Sequence, residues 1–343
     1  MQKFRGKIFN DAVFEKYLKT VESTKENALI KSAVFKNVSK YGAKMADEAG
    51  GYFIIEPIKG RIGGEPVNYD GKTDIQSNER KTYYQTKIAI GRANAWGEHD
   101  FASDITGTNF MAEAQEVKEY WDGEKQKTVI SMLKGIFAME GSDDFAVKHT
   151  YRVDGNLTAD SCNKASQKAL GDKKKNLKVM FMHSAVSTNL EGLNLIDFLK
   201  YTDKDGIERE LTIGQYNGKL VIVDDDMPVN TVEADGEAVQ EAYEEYTNYM
   251  FSEGFIEYED LAVKTPVETA RDAKTDGGHT DLISRVRFII VPQYISYKTK
   301  TAVSPLNSDL EDGKNWEVAN DGAETPEYIN SKLIPVVRII SRG

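Results

Sequence analysis

Between residues 104 and 139 apolar side chains recur at helical spacing: Phe110, Ala114, Val117, Trp121, Val129, Met132, Leu133, Ile136 and Phe137. Glu113, Glu116, Lys118, Glu119, Lys125 and Lys127 supply the polar face. Some 30 residues at ~1.5 Å rise make a rod of about 45 Å. Any fold for this chain must be arranged around that rod. Asp122-Gly123 in its middle is a candidate kink or break.

The segments before the rod bury little of themselves. In residues 1–50, Phe9, Val13, Phe14, Tyr17, Leu18 and Val21 fall on one helical face. A helix this short does not stand alone in water and needs a partner. Two β-prone runs follow, Tyr52-Phe53-Ile54-Ile55 and Thr82 to Ile90, joined by residues 59–79, which are rich in Gly, Asn, Asp, Lys and Glu. This is the pattern of an extended hairpin. A lone two-stranded hairpin is marginal in water, so this one is expected to lie against something else.

After residue 150 the pattern alternates between helix and strand. Thr158 to Leu170 reads as a helix, with Thr158 or Asp160 as cap. Gly171 to Asn176 reads as a charged turn, Leu177 to Met182 as a buried strand, and Ser184 to Lys200 as a helix. Asp205-Gly206 and Asn217-Gly218 are turn signals. A calcium loop built on Gly206 fails, because Tyr201 and Thr212 occupy the positions that need Asp and Glu. Strand Leu220 to Val223 ends in Asp224, Asp225 and Asp226, followed by Met227 and Pro228. Three carboxylates at a strand end suit either a metal site or side-chain-to-backbone turns. A catalytic centre would need further acids, basic groups or histidines, and nothing nearby in sequence has that character. No Gly-x-x-x-x-Gly-Lys-Ser/Thr phosphate loop and no Gly-x-Ser-x-Gly elbow occurs.

A formal charge of −11 argues against a general nucleic-acid binder. The single cysteine, Cys162, excludes an internal disulfide and any cysteine metal spacing, which fits a reducing compartment. His99, His149, His183 and His279 form no ligand-spaced pair. No apolar run approaches the ~18 residues of a membrane helix, and Met1 to Asn10 lack the apolar core of a signal peptide.

Three strings carry a resemblance: "LKVMFMHSAVSTNL" with His183 at a strand-to-helix step, "NGKLVIVDDDMPV", and "VKTPVETARDAKTDGGHTDLISRVRFIIVPQYISYK" with Glu268, Arg271 and Asp272 in a Glu-x-x-Arg-Asp arrangement. With the order arm, hairpin, long helix, α/β part, the chain from about 50 to 300 resembles the tailed-bacteriophage major capsid proteins of the Hong Kong 97 type. The resemblance implies an α+β fold of four parts: an N-terminal arm at 1–50, an extended hairpin at 51–95, a peripheral domain at 96–150 and 258–290, and an axial domain at 151–257 and 291–343. It implies a non-enzymatic coat protein without catalytic residues, metal or cofactor, assembling as hexamers and pentamers into an icosahedral shell around double-stranded DNA. Contact with that DNA would be weak. Lys118, Lys125 and Lys127 are either DNA-facing or paired with Glu113, Glu116 or Glu124. Scaffolding, portal and decoration proteins are the implied partners, the virion the location, and the host bacterial cytoplasm the place of assembly. Some relatives carry a long scaffolding segment before the arm. None precedes Met1, which implies a separate scaffolding protein or a removed leader. Hairpin lysines Lys59, Lys72, Lys81 and Lys87 correspond to the region that some relatives cross-link. The alternatives are an encapsulin-like nanocompartment shell, another phage assembly protein such as a tail component, and a cytosolic metal-dependent enzyme using Asp224, Asp225 and Asp226.

Overall fold

A computed structural model describes residues 2–4, 7–9, 32–47, 52–75, 77–99, 110–202, 208–233, 242–298 and 303–342. β1 (Gln2–Phe4) and β2 (Lys7–Phe9) pair with each other. The helix expected over Phe9 to Val21 lies outside the described residues except for Phe9, which ends β2. Next come β3 (Phe35–Asn37), α1 (Tyr41–Asp47), β4 (Phe53–Lys59), β5 (Thr82–His99) and the long helix α2 (Phe110–Phe137). α3 (Phe145–Lys148), β6 (Thr150–Arg152), α4 (Ser161–Leu170), β7 (Val179–Met182), α5 (Ser184–Gly192), β8 (Ile196–Thr202), β9 (Glu208–Tyr216), β10 (Lys219–Val223) and β11 (Val229–Val232) follow. The chain closes with β12 (Tyr243–Phe251), β13 (Ile256–Leu261), β14 (Val267–Asp272), β15 (His279–Pro292), β16 (Ile295–Tyr297), α6 (Asn307–Glu311), β17 (Trp316–Val318) and β18 (Val336–Arg342).

Two sheets organise these elements. A six-stranded sheet runs β3-β13-β15-β5-β4, with β14 also on β15. Its spine is β15 against β5, antiparallel from His279 opposite His99 to Ile289 opposite Ala89. The start of β5 continues past the sheet to pair with β4, from Phe53 opposite Ile88 to Lys59 opposite Thr82. The predicted hairpin and the sheet thus share one 18-residue strand. Pro57 is tolerated because β4 is an edge strand. An eight-stranded sheet runs β6-β18-β12-β7-β10-β9-β8, with β11 also on β12. β7 is buried along its whole length, as an apolar Val-Met-Phe-Met run between two neighbours requires.

α2 ties the sheets together. Val129, Leu133, Ile136 and Phe137 pack into one cluster with Tyr249 and Phe251 of the eight-stranded sheet, Phe288 of the six-stranded sheet, Phe145 of α3 and Trp316 of β17. The second core, on the other side of the eight-stranded sheet, joins Cys162, Ala165 and Val186 of the short helices to Met180, Met182 and Ile339. Asp122-Gly123 does not break α2, which is continuous over 28 residues. Neighbours hold it on both sides of the glycine. Trp121 Nε1 donates to Ser284 Oγ at 2.9 Å, and Lys125 Nζ lies 5.3 Å from the centre of the Tyr258 ring.

Two other expectations need correction. The helix predicted from Ser184 to Lys200 stops at Gly192, and Ile196–Thr202 is a strand. Asn194 takes a left-handed φ of 53°, which ends the helical path. Ile196 and Phe198 satisfy a period of two as well as a helical face. At α4, Asp160 is the N-cap residue but makes no side-chain cap. Thr158 instead donates its N–H to Ser161 Oγ at 2.9 Å. The Asn217-Gly218 turn stands as expected: both residues have positive φ, 51° and 73°, and Tyr216 faces Lys219. Thr202 also faces Glu208 across a hairpin, though Asp205-Gly206 itself lies outside the described residues.

Candidate functional site

The acidic turn is bound into the fold. Asp224 N donates to Met182 O at 2.9 Å, so the turn starts against the end of β7. Asp224 Oδ1 accepts from Asp226 N at 2.9 Å, a side-chain-to-backbone turn. Asp224 Oδ2 accepts from Gln126 Nε2 of α2 at 2.6 Å, and the same amide reaches Asp226 Oδ2 at 3.4 Å. Buried Met227 pins the far side. Burial raises the Asp224 carboxyl above the usual carboxylate range, and the neighbouring Asp226 and Asp225 add to the rise. Asp225 is exposed and lies lower than usual because Ser184 hydrogen-bonds to it. His183 Nε2 is 3.8 Å from Asp225 Oδ1, while its Nδ1 accepts from Ala185 N at 3.1 Å and caps α5. Each carboxylate is an acceptor for protein N–H groups. Among the described residues, no group of three or more His, Cys, Asp and Glu side chains could hold a metal.

The histidines play separate parts. His99 and His279 are register partners at the end of β5 and β15. His149 is buried beneath Phe145, with its Nδ1 2.7 Å from Val336 O, and burial lowers it to about 4. Cys162 is buried against Met180 and pushed up to about 12. Glu268 accepts from Arg285 at 2.5 Å, Arg271 donates to Thr280 Oγ1 at 3.1 Å, and Asp272 caps the following turn through Lys274 N at 2.9 Å. These three residues organise β14 and β15. Lys127 pairs with Glu124 at 2.8 Å, as helical spacing predicts. Lys125 does not pair along the helix; it reaches Asp260 at 3.0 Å across to β13.

The hairpin has a charged root and an uncovered tip. At the root, buried Lys87 Nζ donates to Tyr41 OH at 2.8 Å and to Glu56. Lys44 Nζ donates to Glu56 Oε1 at 2.9 Å, and Tyr41 OH donates to Glu257. Glu259 accepts from the N–H groups of Lys40, Tyr41 and Gly42 at 2.7 to 2.9 Å, holding the start of α1. Burial alone would raise Glu56, but hydrogen bonds from Lys87 and Lys44 bring it down to about 2. Burial lowers Lys87 by more than Glu56 raises it. The network fastens α1, β4, β5 and β13 to one another. Sequence periodicity missed it, although charged residues inside β-prone runs, Glu56 in "FIIEPIK" and Lys87 in "TYYQTKIAI", were the available signal. Beyond Gly60, whose N–H donates to Lys81 O at 2.8 Å, the described residues to Arg80 are exposed, including Ile62, Tyr69 and Ile75. Tyr69 is 92% exposed, the value of an aromatic left uncovered by the described residues.

No family model matches the chain. The chain is 30% identical, over 302 residues, to the major capsid protein of Bacillus phage SPP1, covering 87% of its own length and 89% of that protein's. Its fold is similar to three solved capsid structures. For the capsid of Ralstonia phage GP4 the TM-score is 0.53 at 9% identity, covering 94% of this chain and 89% of that one. For the capsid asymmetric unit of cyanophage Pam1 it is 0.52 at 10% identity, covering 100% and 96%. For the acid-stable capsid of Helicobacter pylori bacteriophage KHP30 it is 0.51 at 12% identity, covering 100% and 95%.

Proposed function

The chain belongs to the major capsid proteins of bacteriophages, and from that premise we propose how its parts build a shell. It is a coat protein of the phage virion with a Hong Kong 97-like fold. Copies assemble as hexamers and pentamers that close into an icosahedral container for double-stranded DNA. The observation that carries this reading is the hairpin: a rooted pair of strands whose tip displays Ile62, Tyr69 and Ile75 to solvent. Side chains of this kind gain from burial only when a second molecule supplies it. The tip therefore lies over a neighbouring subunit.

The hairpin is residues 51–95, and residues 1–50 are the arm, whose β3 and α1 are anchored on β13 of their own chain. Residues 96–150 with 258–290 form the peripheral domain, and 151–257 with 291–343 the axial domain. The two sheets support this division, since the chain crosses between them after β12. Asp224, Asp225 and Asp226 brace the axial sheet on α2 and do no catalysis, and the protein uses no metal or cofactor. The net charge of −11 suits a wall that holds DNA by weak contact. Scaffolding, portal and decoration proteins act on the same shell, and assembly takes place in the host cytoplasm. Electron microscopy of the purified protein tests the reading: closed shells are the expected image, and tubes or a persistent monomer would overturn it.

A further inference from the structure

The eight-stranded sheet carries opposite charge at its two ends. β7 and β12 are antiparallel, with Phe251 opposite Val179, and Val336 of β18 faces Phe251. The end where β7 and β18 begin is therefore the end where β12 finishes. There the chain places Lys173, Lys175, Lys178 and Lys332 around a cleft of about 360 Å³, with Tyr294 and Pro335 also in its wall. Lys174 stands exposed in the same turn, Gly171–Asn176. Glu253 offsets Lys178 at 3.2 Å, and Asp172 offsets one more. The remainder is a cationic surplus on a chain that is acidic overall.

At the opposite end β7 and β10 finish and β12 begins. Asp225, Asp226, Glu233 and Glu244 are all exposed there. Among the described residues, Arg152 at this end is engaged with Glu245, Arg342 with Asp154 at 3.5 Å, and Lys127, beside Asp226, with Glu124 at 2.8 Å. His183 sits beside Asp225. The two ends are separated by the nine residues of β12, about 30 Å at roughly 3.3 Å per residue.

Copies of a chain at −11 repel one another unless local charge is matched. A contact that joins one end of a subunit to the other end of the next is heterologous, and repeated about an axis it closes a ring. A cleft of about 360 Å³ suits a projecting turn of protein better than the broad face of a DNA duplex. We propose that the lysine-lined cleft of one copy receives the acidic end of a second copy, through Asp225, Asp226 and Glu233. The inference rests on the shell reading above and names the subunit contact within it.

Charge reversal with rescue tests it. The wild-type chain, K173E/K174E/K175E, D225K/E233K and the combination of all five substitutions are compared by sedimentation and electron microscopy. Circular dichroism checks that each is folded. Facing like charges suppress wrong contacts strongly, so each reversed variant should lose assembled material by on the order of tenfold or more. The combined variant should recover it. K173Q/K174Q/K175Q replaces the reversed triple if that variant does not fold, and should lose assembly by a smaller factor. Wild-type yield from the lysine variants, or a combination no better than its parents, would overturn the proposal. Lysine variants that assemble normally but fail to retain duplex DNA would overturn it too, and would assign the cleft to nucleic acid. A wild-type chain that stays monomeric would overturn the shell reading, and this contact with it.

Discussion

Asp224 shows how one side chain settles between two roles. Half-buried, it accepts from Gln126 on one oxygen and from Asp226 N on the other. A carboxylate so placed is held for its acceptor geometry, while its charge is a burden. Its folded pKa is raised from 3.8, so protonation favours the folded state, and that contribution is lost as pH rises through the raised value. Asp224→Asn keeps an acceptor and removes the charge. The stability of this variant relative to wild type should therefore improve as pH rises from about 3.8 to neutrality. Gln126→Leu removes one of the two donors to the carboxylate and should cost about 1–3 kcal/mol. Urea denaturation across pH measures both. A variant that loses stability on going from acid to neutral pH, relative to wild type, would contradict the first expectation.

At the scale of elements, α2 contains two glycines with opposite meanings. A Cβ at Gly123 meets nothing within 4 Å, whereas a Cβ at Gly135 would come 1.9 Å from Leu310 O and 2.6 Å from Trp316 Nε1. Gly123→Ala should therefore stabilise by roughly 0.5–1 kcal/mol through helix propensity. Gly135→Ala must push α6 and β17 away from the helix and should cost about 1–3 kcal/mol. Thermal unfolding of the two variants should move Tm in opposite directions. Sequence periodicity found α2, the hairpin strands, β7, β10 and the Asn217-Gly218 turn, because in each the local pattern and the tertiary environment agree. It misread Asp122-Gly123 because a glycine weakens a helix only when packing does not hold it. It misread Leu193 to Lys200 because an apolar segment next to a helix fits both periods. The closing strand β18, which pairs with both β12 and β6, carried no pattern of its own beyond a short Val-Val-Arg-Ile-Ile run. The buried network at the hairpin root escaped because its members are distant in sequence. The acidic turn was visible as a turn, but its partner Gln126 was not, since contact between residues 98 apart is a product of topology.

For the whole molecule, the hairpin separates folding from assembly. Ordering its tip costs backbone entropy of roughly 1–2 kcal/mol per residue, against which the exposed tip sets only local hydrogen bonds such as those of the Asp70 turn. Deleting residues 62–78 and closing the gap with a short turn should leave both cores intact, since no residue of either core lies in that stretch. Circular dichroism should remain that of the parent, while electron microscopy should show no stable shells. Normal shells from the deletion would mean that the hairpin is not an assembly element.

β5 has one more consequence, and it is mechanical. The strand is a single beam held along its length, by β15 from Ala89 to His99 and, from Thr82 to Ile88, by β4 together with Ile295, Ser296 and Asn320, so that what projects beyond it is the tip between Gly60 and Lys81. The Lys87, Glu56 and Tyr41 network stands at the clamp. A cantilever concentrates bending moment at its support, so a load on the tip passes through Tyr84 on Asn320 and Gln85 on Ile295, then through these residues, into the six-stranded sheet. A wall made of such beams spreads internal pressure from one sheet to the next, and its stiffness depends on the clamp more than on the tip.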